Sequence, residues 1–167
     1  MVKRITTYLL FFISLTSFSL HLYAQENIEI GQLENGIISV KQSMLGPATK
    51  ALEWTFRDGT KVQELKIEQI GKGYFLVAVC NYMNYKRNAA INLDLQGDLF
   101  LMNDDAMLKI CSAVACQTCH FFVENNKIIA CKCEQTGSIS NQCHYKSSLA
   151  TTFIQNLQRA IKMQQEK

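Results

Sequence analysis

The stretch Val62-Gln63-Glu64-Leu65-Lys66-Ile67-Glu68-Gln69-Ile70-Gly71-Lys72-Gly73-Tyr74-Phe75-Leu76-Val77-Ala78-Val79-Cys80 decides the fold class. In its first half Leu65 and Ile67 fall on one face and Glu64, Lys66 and Glu68 on the other, the period of two that marks a half-buried strand. Gly71-Lys72-Gly73 supplies a turn. The second half, Tyr74 to Cys80, is a continuous apolar run suited to a central strand, so the two halves read as an antiparallel hairpin.

Outward from this hairpin the same signals recur. Ile91, Leu93 and Leu95 alternate with Asn92 and Asp94, and Gly97-Asp98 turns the chain into Leu99-Phe100-Leu101. Leu52 to Phe56, ahead of Asp58-Gly59, reads as a further strand, and Gly36 to Val40 as another; Lys41 to Lys50 carries no decisive pattern. Near the C-terminus Leu149, Phe153, Leu157 and Ile161 recur every four residues, with Ser147 or Ser148 placed to cap a helix. Its polar face holds Gln and Asn instead of a basic stripe, which favours packing on the sheet over lying on a membrane. The expected architecture is an α+β fold, mostly β: an antiparallel meander sheet, a disulfide-rich C-terminal hairpin and loop region, and one C-terminal amphipathic helix.

The N-terminus reads as an export signal. Lys3 and Arg4 precede an apolar run from Tyr8 to Leu22, too short and too polar in its second half to span a bilayer, and Leu22-Tyr23-Ala24 offers a cleavage point before Gln25. The alternative, an uncleaved anchor, lacks a stop-transfer flank or a second apolar segment. The expected organisation is a signal peptide over residues 1–24 and a single cysteine-rich domain over 25–167, secreted or periplasmic, with no transmembrane segment once the signal is removed. Removal takes two basic and no acidic residues from the 17 and 14 of the whole chain, leaving 15 against 14. So even a balance argues against nucleic acid as a partner. One proline, Pro47, and no low-complexity tract leave no linker for a second domain.

Six of the seven cysteines fall between residues 111 and 143: Cys111, Cys116, Cys119, Cys131, Cys133 and Cys143. In an exported chain the default chemistry is a disulfide framework, with fifteen possible pairings for six cysteines. Asn125-Asn126 tolerates the positive φ of a hairpin turn between Phe121-Phe122-Val123 and Lys127 to Ala130. A two-residue turn sets His120 opposite Cys131, and one bulged residue sets Cys119 there instead. Either register brings the Cys-x-x-Cys-His end close to Cys131 and Cys133, which share a strand face. Bridges between the two groups are therefore expected ahead of one inside the Cys-x-Cys pair. The rival chemistry is zinc or copper(I) held by Cys119, His120, Cys131 and Cys133, since soft thiolates and imidazoles suit those ions.

Two other cysteine chemistries fit less well. The spacing of Cys111, Cys116 and Cys119 echoes plant-type ferredoxins, but an exported iron–sulfur protein calls for a twin-arginine signal, which Lys3-Arg4 is not. Cys116-Gln117-Thr118-Cys119 has the spacing of a thioredoxin-type redox pair, yet β-like segments flank it where that chemistry needs a helix start. Cys80, the odd cysteine, ends the most apolar run and reads as a free thiol in the core or as a bridging partner.

Cys111-Ser112-Ala113-Val114-Ala115-Cys116-Gln117-Thr118-Cys119, an aromatic and apolar strand, Ala130-Cys131-Lys132-Cys133-Glu134 and finally Cys143-His144 together resemble the C-terminal cysteine motif of a group of small secreted bacterial proteins. The resemblance covers about a third of the exported part and implies export and a shared cysteine arrangement, with no activity attached. That group ends in a Cys-Asn-His-like element, whereas this chain has Gln142-Cys143-His144 and a longer helical tail.

No Gly-x-Ser-x-Gly, His-Glu-x-x-His, P-loop or Rossmann glycine pattern occurs. Asn103-Asp104-Asp105 reads as a solvated turn and not as an acid/base pair or calcium site. The segment Asn81 to Asn88 mixes tyrosines with Lys86 and Arg87 in what reads as an exposed hairpin loop, a possible recognition surface. The functional expectation is thus a disulfide-stabilised, non-enzymatic exported domain with a binding or structural role and no cofactor; the alternative is the Cys/His metal domain.

Overall fold

A computed structural model describes residues 27–135 and 142–166; the expected signal peptide lies outside the described residues. Among the described residues, ten strands and two helices follow in the order β1 (Ile28–Glu34), β2 (Ile37–Val40), α1 (Gln42–Phe56), β3 (Lys61–Ile70), β4 (Gly73–Tyr82), β5 (Tyr85–Gln96), β6 (Leu99–Met102), β7 (Met107–Ala113), β8 (Cys119–Glu124), β9 (Lys127–Cys133), β10 (Cys143–Leu149) and α2 (Thr151–Gln165). The fold is α+β, mostly β and antiparallel throughout. Among the described residues no helix is long and apolar enough to cross a membrane.

Strand β5 is the hub. It pairs with β4 along most of its length, its residues Arg87 to Ile91 pair with β7, and Asp94 to Gln96 pair with β6. From β4 the sheet continues to β3, from β7 to β10, and from β6 through β1 to β2; β8 and β9 form a separate two-stranded ribbon.

The continuous apolar run in β4 is explained by cover on both faces. Leu76, Ala78 and Cys80 point into a core shared with Met44, Ala48, Ala51 and Leu52 of α1 and Phe153, Ile154 and Leu157 of α2. Phe75 and Val77, on the opposite face by strand alternation, pack with Ala90 against Ile128 and Phe121 of the ribbon. The molecule is layered accordingly: two helices, the sheet, and the β8–β9 ribbon.

Three local expectations are corrected. Leu52 to Phe56 is the last part of α1 and not a strand; Met44, Pro47, Ala48, Ala51 and Leu52 form its buried stripe. That stripe has helical spacing, but Gly46-Pro47 inside it reads as a break. Pro47 is tolerated one and a half turns from the start, where it forfeits only the bond to the Ser43 carbonyl. At the other end of the chain Ser147 and Ser148 belong to β10, and α2 starts after Ala150 without a capping side chain. The Ala150 amide instead bonds the Ala106 carbonyl at 2.7 Å, which fixes the strand-to-helix corner. In the ribbon Asn125 and Asn126 do adopt positive φ, 49° and 61°. Its bulge, however, adds Ile129 to the second strand, so Cys119 faces Cys133 and Phe121 faces Cys131.

Candidate functional site

The cysteines meet where the ribbon docks on the sheet. Cys111 of β7 is bonded to Cys131 of β9, Cys119 of β8 to Cys143 of β10, and Cys116, in the loop after β7, to Cys133 of β9. Two bridges thus tie the ribbon to the sheet edge and the third ties it to the connecting loop. Only the Cys116–Cys133 bridge joins the Cys-x-x-Cys end to the Cys131 and Cys133 pair as expected; Cys131 and Cys119 instead bond Cys111 and Cys143, and none of the three closes the Cys-x-Cys pair. The Cα atoms of each pair are 5.8–5.9 Å apart, within the ordinary span of a disulfide. Around the bridges Cys111, Cys116, Cys119, Cys131 and Cys133 are buried, so sulfur is itself the core of this corner.

Of the expected metal-ligand set of Cys119, His120, Cys131 and Cys133, Cys119 alone belongs to the thiol cluster found among the described residues. The Sγ atoms that lie together, all within 4.8 Å of one another, are those of Cys116, Cys119 and Cys143. His120 alternates to the other face of β8, where its Nε2 sits 3.6 Å from Glu134 Oε2, and His144 lies on the face of β10 opposite Cys143.

Pinning the ribbon creates a cleft of about 420 Å³ between it and the strands β3 to β5. Val77 and Val79 line its apolar part, and Lys66, Glu68, Lys86 and His120 its polar part, with Lys66 paired to Glu68 at 3.5 Å. Asn88, 9% exposed, lines it too. The Asn88 side-chain Nδ2 donates to the Cys119 carbonyl at 2.7 Å, joining sheet to ribbon, while its Oδ1 is buried with no hydrogen-bond partner among the described residues. Leaving such an acceptor unsatisfied costs about 1–3 kcal/mol. The far end of the ribbon is held by shape: Gly71, at φ +65°, has no room for a Cβ, which would fall 2.9 Å from Asn126 Cα.

The helix-covered face carries a group of residues that the sequence reading misplaced. Asn81 to Asn88 is not a loop: β4 runs to Tyr82, β5 begins at Tyr85, and only Met83 and Asn84 turn. Arg87 therefore points inward, with its side chain 12% exposed. Its Nη1 donates to Asp58 Oδ2 and to Thr60 Oγ1, both at 2.6 Å, and its Nε donates to Ser112 Oγ at 3.1 Å. The guanidinium also stacks on Phe56 and Tyr82, at 4.9 and 4.4 Å from the ring centres. Burial alone would raise the Asp58 carboxyl, but hydrogen bonds from Thr60 and Arg87, with the Arg87 charge, outweigh it and hold the group below its ordinary value. A usable signal was present in the sequence, since Arg87 is in phase with Ala89, Ile91 and Leu93.

Beside this group Cys80 is fully buried and unbridged. Burial pushes its thiol up to about 12, so it stays protonated and inert at neutral pH. Asn103-Asp104-Asp105 forms the expected turn, with Asp104 and Asp105 exposed and the Ala106 amide bonded to the Asn103 carbonyl at 3.1 Å.

No family model matches this chain, and no curated protein or solved structure matches it either.

Proposed function

We propose that this protein is an exported, non-enzymatic binding module, in which the disulfide-pinned ribbon forms one wall of a recognition cleft. The observation that carries the reading is Asn88: a buried amide held by the ribbon on its nitrogen side and, among the described residues, left without a donor on its oxygen side, at a cleft of about 420 Å³. A ligand bringing an N–H to that oxygen, an apolar group to Val77 and Val79 and a carboxylate to Lys86 would complement the cleft. A short peptide has all three. Export is supported by the N-terminal pattern, by the likeness to small secreted bacterial proteins and by three bridges that need an oxidising compartment to persist. The non-enzymatic reading rests on the candidate nucleophiles. Six cysteines are bridged, Cys80 is buried, and Ser112 accepts from Arg87 with no hydrogen bond to His144.

The test is an amide NMR titration of the oxidised protein with a mixed pool of apolar-ended tripeptides. The expected result is saturable shifts at the Asn88 side-chain amide, Thr118 and His120, lost in Asn88→Ala. Shifts confined to other surfaces, or none, would overturn the reading.

A second reading keeps a thiophilic ion, and the close Sγ atoms of Cys116, Cys119 and Cys143 favour it. It requires thiolates in place of two bridges, so a count of titratable thiols separates it from the first.

A further inference from the structure

On the face opposite the ribbon, strand register builds a second site. Arg87 of β5 pairs with Ser112 of β7, and Ser112 pairs with His144 of β10, so the three stand in one row across three strands. At the usual strand spacing the row spans about 10 Å. Lys146 stands two residues along β10 on the same face. Both helices stop short of this corner, since α1 ends at Phe56 and α2 begins at Thr151. What remains is a groove of about 350 Å³ over Leu108 and Ile110.

We propose that this groove binds an oxyanion, a carboxylate, phosphate or sulfate group carried by a small ligand. The charge balance points that way. Among the described residues Asp58 is the one acidic residue lining the groove, and it is already committed to Arg87. Lys146 has no ion-pair or hydrogen-bond partner among the described residues, so the groove keeps an uncompensated positive charge. His144 adds another when protonated. Arg87 itself is half used: Nη1 and Nε are bonded, while Nη2 makes no hydrogen bond among the described residues. Its plane is fixed by Phe56, Tyr82, Asp58 and Ser112, which removes most of the ordering cost of presenting the remaining N–H groups to an anion. A purely structural ion pair would account for the Asp58 contact but not for Lys146 and His144 gathered beside it over an apolar floor.

The experiment uses the oxidised full mature protein, titrated with inorganic phosphate, sulfate or D-glucuronate against chloride at constant ionic strength. Amide NMR follows Ser112, His144 and Lys146. At least one probe should bind saturably at millimolar concentration or below, and the preferred probe identifies the head group. Lys146→Met, on an exposed edge where folding is not at stake, should weaken that binding at least about tenfold, the usual worth of one charge-assisted contact. The amides of Thr118 and His120, on the ribbon side, should not move with these probes, so failure of the ribbon-side cleft and failure of this groove are read separately. Absence of saturable binding for all three probes, or binding that Lys146→Met does not weaken, would overturn the proposal.

Discussion

Asn88 and Cys119 are joined by a 2.7 Å hydrogen bond from the Asn88 side-chain amide to the Cys119 backbone carbonyl. The bond crosses from the hub strand of the sheet to the ribbon, one residue before His120 enters the cleft wall. Asn88→Ala leaves that carbonyl without its donor but also removes the unpartnered Oδ1, so the two effects partly offset. The expected loss is about 1–2 kcal/mol of unfolding free energy, read from urea denaturation of the oxidised protein.

The Cys111–Cys131 bridge closes a loop with a sequence separation of 20. Replacing both residues by Ala should lower stability by about 3 kcal/mol, if constraint of the unfolded chain dominates. Because two other bridges hold the ribbon, the sheet and helices should persist. Far-ultraviolet circular dichroism at low temperature should be nearly unchanged while the thermal midpoint falls.

Asp58 carries the pH dependence. Its carboxyl titrates below its ordinary value in the folded protein, so the stability it contributes is fully present above about pH 4, the unfolded value. That contribution is lost as pH falls through the lower, folded value. Unfolding free energy measured between about pH 6 and about pH 2 should therefore drop more steeply in the natural protein than in Asp58→Asn, which is weaker at neutral pH and flatter towards acid.

Cys80 is a test of burial. Replacement by Ala, which leaves a small gap, should cost about 1 kcal/mol, whereas Cys80→Ser buries a hydroxyl without a partner and should cost about 1–3 kcal/mol. Thermal melts of the two variants rank the two costs.

How far the sequence reveals this molecule depends on the range of the forces involved. The hairpin from Val62 to Cys80, the turn at Asn125-Asn126 and the stripe Phe153-Leu157 are each set by residues close in sequence, and all three are present. Helix α1 was hidden by Gly46-Pro47 and by Trp54, Thr55 and Phe56, whose β propensity is overridden by the burial of Ala48, Ala51 and Leu52 against the sheet. The phase of Arg87 with Ala89, Ile91 and Leu93 marks an inward strand position, but that Asp58, 29 residues earlier, faces it is a tertiary outcome with no local sign. The cysteines announced their chemistry, whereas their pairing depends on a bulge at Ile129 and on where the ribbon docks, both tertiary outcomes.

Non-reducing proteolytic peptide mapping by mass spectrometry, on protein recovered from the periplasm of a bacterial host and alkylated under denaturing conditions, is the most direct check on the stapled ribbon. Three linked peptide pairs should appear, Cys111 with Cys131, Cys116 with Cys133 and Cys119 with Cys143, with Cys80 the single alkylated residue and Gln25 the first residue of the chain. Four or more alkylated cysteines in folded protein would contradict the account and turn attention to a bound ion.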